Sequence, residues 1–162
     1  MKLYHGSLQI VEKPEIRIPE RTLDYGSGFY TTTSFSQAES WVKRRMRENK
    51  VSKGYVNIYE FDQQSVNNVK SLIFNAPNDE WLDFVMKNRM NKGFCHDYDI
   101  VVYGPVANDR VYAAFALYEG GVFNREDLIK ELKTYVLVDQ YLFHTEKSLQ
   151  LLFYNEFKEI VL

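Results

Sequence analysis

The sequence has one cysteine, Cys95, so no disulfide can close within the chain, and no group of cysteines and histidines has the spacing of a zinc site. Its three histidines, at positions 5, 96 and 144, lie far apart along the chain, and no metal is expected. No window approaches 18 apolar residues, which argues against a membrane span. The first residues carry one lysine before Leu3 and reach charged residues by Glu12, so no apolar signal-peptide core is expected there, and the reading is a cytoplasmic protein without membrane contact. There is little net charge: 20 Lys+Arg against 22 Asp+Glu give -2, which provides no global field toward nucleic acid or an anionic surface. The phosphate-binding pattern GxxxxGK[ST] and the nucleophile elbow GxSxG are both missing. GSGFY does not continue to a third glycine at dinucleotide-fold spacing.

Aromatic residues are plentiful, at 15% of a chain of 162 residues, enough to fill the core of one domain and to line a pocket. Strand patterns fall at Lys2 to His5, at FYTTT after the Gly26-Ser27-Gly28 turn, at YVNIYEF, at SLIF, at DYDIVVYG and, in two parts, across YVLVDQYLFHT. Helix patterns fall between them. A stripe of Ala38, Trp41, Val42 and Met46 predicts a helix over 36–49, with Ser34/Gln37 or Ser36/Glu39 as capping box. NDEWLDFVMKNR, a segment over 109–118 capped by Asn108, and a segment started by Asn124 with Asp127 predict three more. Thr145 is expected to cap a last helix running through Leu152, before an end that reads as helix or edge strand. Strands interleaved with helices without regular alternation give an α+β class and one domain over 1–162.

Several constellations could carry chemistry. Cys95 beside His96 suggests a thiol nucleophile, but sequence neighbours point in different directions, and the reading is set aside. Asp97 and Asp99 share a face of an extended segment and could hold a cation or, more simply, form a solvated strand mouth. The opening MKLYHGS is more specific. There a strand end offers an imidazole that donates and accepts, next to a glycine that lets a ligand lie against the backbone. The later GSGFY turn places the Tyr30 ring where it could offer a flat face to a planar ligand.

YHGS, DYGSGFYTT, QAESW, WLDFVMKNR, HDYDIVVYGPVANDRVY and DQYLFHTEKSLQLL together resemble the ADP-ribosyltransferase superfamily. More closely, they look like a bacterial family within it whose members often stand beside a small antitoxin. The resemblance implies an ADP-ribosyltransferase-like split mixed β-sheet with flanking helices, with NAD as substrate. It implies a cofactor-binding set of His5, Gly6, Ser7, Gly28 and Tyr30: His5 on a ribose hydroxyl, the Gly6 backbone on the nicotinamide amide, Tyr30 stacked on its ring. Tyr30 and Gln140 form the implied catalytic pair. The implied partners are a macromolecular acceptor, protein or nucleic acid, and a small antitoxin protein.

Active relatives carry glutamate where this chain has Gln140. Cleavage of the nicotinamide-ribose bond passes through an oxocarbenium-like state, and a glutamine keeps the grip on the ribose while losing the charge. The alternative is therefore a catalytically degenerate module that binds NAD, ADP-ribose or a partner. A third reading, a 2'-phosphate transferase on RNA, would need basic residues converging on the cleft, for which Arg17, Arg21 and the cluster at 43–50 are the candidates.

Overall fold

The structure, a computed structural model, describes residues 1–18, 24–91, 93–102, 109–135 and 138–162, and of Asp109 and Tyr112 the backbone. Arg21, Gly104-Pro105, Asn108 and the Val136-Leu137 part of the expected late strand lie outside the described residues. In chain order the elements are β1 (Lys2–Ser7), β2 (Phe29–Thr31), α1 (Phe35–Asn49), β3 (Lys53–Phe61), β4 (Ser71–Ile73), α2 (Asp79–Met90), β5 (Ile100–Val102), α3 (Asp109–Glu119), α4 (Arg125–Lys133), β6 (Tyr141–Phe143), α5 (Glu146–Leu149) and β7 (Leu152–Val161). A 3-10 turn over Gln63–Asn68 joins β3 to β4.

Two sheets result. One is antiparallel in the order β1-β3-β7; the other, β2-β6-β5-β4, is mixed, with β4 and β5 parallel. They touch through one bridge, in which Tyr4 and Thr32 exchange backbone hydrogen bonds of 2.8 and 3.0 Å. The chain is thus a mixed α+β protein with two joined sheets. The two inner faces share a core of Leu3, Tyr59, Phe61 and Leu152 from one sheet with Phe29, Ile100, Tyr141 and Phe143 from the other. On the outer face of the first sheet α1 buries Ala38, Val42 and Met46 against Val56 and Ile160. On the outer face of the second, α2, α3 and α4 bury Trp81, Leu82, Val85, Phe115, Leu128 and Leu132 against Val101 and Leu142.

Local signals explain most boundaries. The Ser34 side chain accepts from the Gln37 amide and starts α1, which ends at Lys50 in the left-handed region. Asn124 and Asp127 form a reciprocal capping box on α4. The last helix is shorter than expected, stopping at Leu149 rather than running through Leu152, and of the two readings of the end the edge strand holds, over residues 152–161. The cause is tertiary, because Gly54, Val56 and Ile58 of β3 take Ile160, Lys158 and Glu156 of β7 as register partners. A helix there would have left that edge of β3 without partners.

Candidate functional site

β1 and β2 part at the residues singled out in MKLYHGS and GSGFY. The Tyr4–Thr32 bridge is antiparallel, so continuing its register would set Gly6 opposite Tyr30. Peptide groups alternate along a strand, and Tyr4 bonds toward β2, so the Gly6 N–H and C=O also face β2. No such pair forms. The Tyr30 carbonyl instead accepts from His5 Nδ1 at 2.7 Å. Beyond the bridge the imidazole takes the place of the next ladder bond, and the Gly6 peptide is left without a backbone partner on that side among the described residues.

A carbonyl only accepts, so the neutral His5 ring carries its proton on Nδ1 and holds a lone pair on Nε2. The ring packs against Phe29 with centroids 4.2 Å apart. Burial lowers its pKa to about 4, partly opposed by the bond to the Tyr30 carbonyl and reinforced by the positive charge of Arg17. His5 is therefore a neutral acceptor at physiological pH. Ser7 ends the strand, and its hydroxyl accepts from the Gln9 amide at 3.1 Å.

Gly6 has a second reason to lack a side chain. A Cβ there would meet the Ala38 carbonyl oxygen at 2.5 Å, Val42 Cγ2 at 2.9 Å and Trp41 Cδ1 at 3.3 Å, so α1 lies directly on the strand. The half-buried Trp41, whose spacing reads as core packing, is thereby the aromatic ring beside Gly6. Alternation puts Tyr4, Gly6, Tyr30 and Thr32 on the outer face, and His5 and Phe29 on the inner one. The Tyr30 hydroxyl donates to the Gly26 carbonyl at 2.6 Å and accepts from the Tyr25 amide at 3.3 Å, which holds the ring against its own turn. Gly28, with φ of 146°, lies on β6: a Cβ would meet the Phe143 carbonyl and Leu142 Cδ1, each at 2.5 Å.

Gln140 precedes β6. The register Thr31 to Tyr141 extends to Thr32 opposite Gln140, so Gln140 is on the outer face, half-buried, two strands from β1. Its neighbour Asp139 pins the start of α1 by accepting from the Thr33 amide at 2.9 Å and from its hydroxyl at 2.7 Å. His5, Gly6 and Tyr30 thus flank the parting of β1 and β2, with Trp41 beside Gly6, but His5 lies on the inner face while Gln140 lies on the outer one, two strands from β1.

The histidines, remote in sequence, converge on one short segment. His96 Nε2 donates to the Tyr25 carbonyl at 2.7 Å, His144 Nδ1 to Ser27 at 2.5 Å and His5 Nδ1 to Tyr30 at 2.7 Å. The His96 and His144 rings stack at 4.1 Å. Desolvation lowers the His96 pKa; the Tyr25 carbonyl opposes this and the neighbouring His144 adds to it. Asp24 braces the same turn through Arg89 at 3.0 Å, and Arg89 also holds Glu119 at 3.0 Å. Residue spacing gave no sign of this clamp, because each donor arrives from a different strand end or loop.

Other candidates separate. Cys95 Sγ is 4.0 Å from His144 Nε2, not paired with the adjacent His96 ring. Asp97 pairs with the Lys70 ammonium, while Asp99 accepts from the Lys70 amide at 2.9 Å and the Thr145 hydroxyl at 2.7 Å, so both carboxylates are held by protein donors, Lys70 serving each through a different group. Among the described residues no group of three or more metal-ligating side chains exists, and no helix is long and apolar enough to cross a membrane. The basic face of α1 is partly neutralised within the helix, Lys43 by Glu39 and both Arg44 and Arg45 by Glu48. Arg17 pairs with Glu15 at the surface.

The fold is that of a two-sheet α+β protein whose strands β1 and β2 part beyond one bridge. The chain belongs to a family described as "Protein of unknown function (DUF3990)", which matches residues 1–154. No curated protein and no solved structure matches it.

Proposed function

We propose that the protein is ADP-ribosyltransferase-like, binding NAD at the parting of β1 and β2 and passing its ADP-ribose to a macromolecular acceptor, protein or nucleic acid. The observations that support this most are a Gly6 peptide with no backbone partner on its β2 side among the described residues and, on the adjacent residue, a neutral His5 with a lone pair on Nε2. A carboxamide such as that of nicotinamide donates to a peptide carbonyl and accepts from its N–H, so one free peptide edge recognises it in both directions. His5 Nε2 then accepts from a ribose hydroxyl. Tyr30 and Trp41, on the outer face, offer rings to the nicotinamide plane. Ser7 and Gly28 shape the backbone at the two ends of the cleft.

Breaking the glycosidic bond places positive charge on the ribose, and Gln140 can hold a hydroxyl there without supplying negative charge. That residue favours a second reading, a module that binds NAD or ADP-ribose with little turnover. A small antitoxin that covers the cleft is the partner the sequence resemblance suggests in either case.

Titration with NAD, read by intrinsic tryptophan fluorescence, tests the site. Saturable binding is expected, lost in His5→Ala and in Tyr30→Ala while both keep the wild-type circular dichroism spectrum. No binding by the wild type at millimolar NAD, or unaltered binding in both variants, overturns the assignment. Turnover separates the two readings: Gln140→Glu raises NAD hydrolysis by roughly 10- to 1000-fold if the glutamine is what limits the chemistry.

A further inference from the structure

We infer that the free edge of β7 pairs with the same edge of a second copy of this chain, forming a two-fold antiparallel ladder centred on Phe157. The inference does not depend on what the cleft binds.

The order β1-β3-β7 leaves β7 at the border of its sheet, ten residues long. Its outward peptide groups follow from alternation. Tyr4 bonds toward β2, so Leu3, His5 and Ser7 bond toward β3, where their partners are Tyr59, Asn57 and Tyr55. Val56 and Gly54 of β3 consequently bond toward β7, to Lys158 and Ile160. Phe157 and Glu159 therefore turn their N–H and C=O groups away from the sheet. A bulge at Asn155, where the register with β3 shifts, interrupts this edge, and the regular stretch 156–161, with Phe157 and Glu159 turned outward, is the template for strand addition.

The side chains select the occupant. Phe157 and Val161, on one face of the strand, are 43% and 60% exposed, and Phe153, across the register shift and on the other face, is 66% exposed. Glu159 is paired with Lys53 at 3.1 Å, whereas Glu156 and Lys158 have no ion-pair partner among the described residues. A two-fold axis at Phe157 resolves this. It sets Phe157 opposite its own copy as a pair exchanging both backbone bonds, and it sets Glu156 opposite Lys158 of the partner twice over. A sequence that complements itself about a point fits an isologous dimer, in which each copy presents the same patch.

Sedimentation equilibrium of the full chain from low micromolar to several hundred micromolar tests the inference, with circular dichroism checking each variant. The wild type is expected to dimerise. Glu156→Lys and Lys158→Glu each create two like-charge pairs and weaken self-association about tenfold or more. An equimolar mixture of these two variants regains the dimer, because the opposed charges are again complementary. Phe157→Pro removes an outward N–H together with a ring that meets Tyr55 edge to face at 5.6 Å, and gives a monomer that keeps the wild-type circular dichroism spectrum. A wild type that stays monomeric throughout overturns the inference, as does a dimer indifferent to both charge reversals or a variant mixture no tighter than its components. Pairing of this edge only with a different protein also overturns it.

Discussion

Gly6 and His5 each answer to two demands. The sequence suggests that Gly6 is bare so that a ligand can approach, but the space where its Cβ would stand is filled by α1, at 2.5 Å from a backbone oxygen that cannot move aside. The peptide edge facing β2 is a separate feature of the same residue. Gly6→Ala should thus lose stability before it loses affinity, by about 1–3 kcal/mol, visible as a lower urea midpoint at unchanged m. His5 gives a pH signature. Its pKa is about 4 in the fold against 6.5 for the free side chain, so the unfolded chain binds the extra proton first. Stability is complete above pH 6.5 and falls as pH drops toward 4, by an amount on the order of 2–3 kcal/mol. Burial of His96 acts in the same direction. Denaturant midpoints measured between pH 7 and 4 should show this slope, and His5→Gln should flatten it; an unchanged slope would mean that the ring is solvated in the fold.

At the scale of elements, the turn over residues 25–30 is organised by three imidazoles from elsewhere and by its own Tyr30 hydroxyl. Three imidazoles and one phenol bond four of its carbonyls, at Tyr25, Gly26, Ser27 and Tyr30. The turn itself was legible from its glycines, and Gly26 at φ of 86° uses the conformation that glycine permits. Its anchoring was not legible, because His96 and His144 enter from sequence positions chosen by the second sheet's topology. The same contrast holds for the helices. Asn124 with Asp127 and Ser34 with Gln37 are local signals that foretell the starts of α4 and α1. The end of α5 was decided by β3, a distant strand in need of a partner. Removing one anchor should free the turn without unfolding the chain: His144→Ala is expected to raise amide hydrogen exchange over residues 25–30 while leaving exchange in α2 and α4 as in the wild type. Faster exchange throughout the molecule would instead make His144 a general packing residue.

For the molecule as a whole, the class was legible in the interleaving of strands and helices, while the division into two sheets was not. Strand patterns record which residues are apolar, not which strands adjoin. Among the described residues the two sheets exchange only the Tyr4–Thr32 pair of backbone bonds, so their union rests on the shared inner core. Phe61 and Phe143 meet there edge to face at 5.4 Å, one from each sheet, both fully buried. Since β1 and β2 come from different sheets, their junction exists only while that core holds. The core is continuous from Leu3 to Leu152, so the sheets should unfold together, with tryptophan fluorescence and far-ultraviolet circular dichroism giving coincident curves. Phe143→Ala removes a ring from the seam and should lower stability by about 3–5 kcal/mol. It should shift the single transition as a whole, and NAD affinity, if the proposed site is correct, should fall in step with the fraction unfolded. Two separate transitions in this variant would show that the sheets are independent units and that the junction between β1 and β2 is a contact rather than a built site.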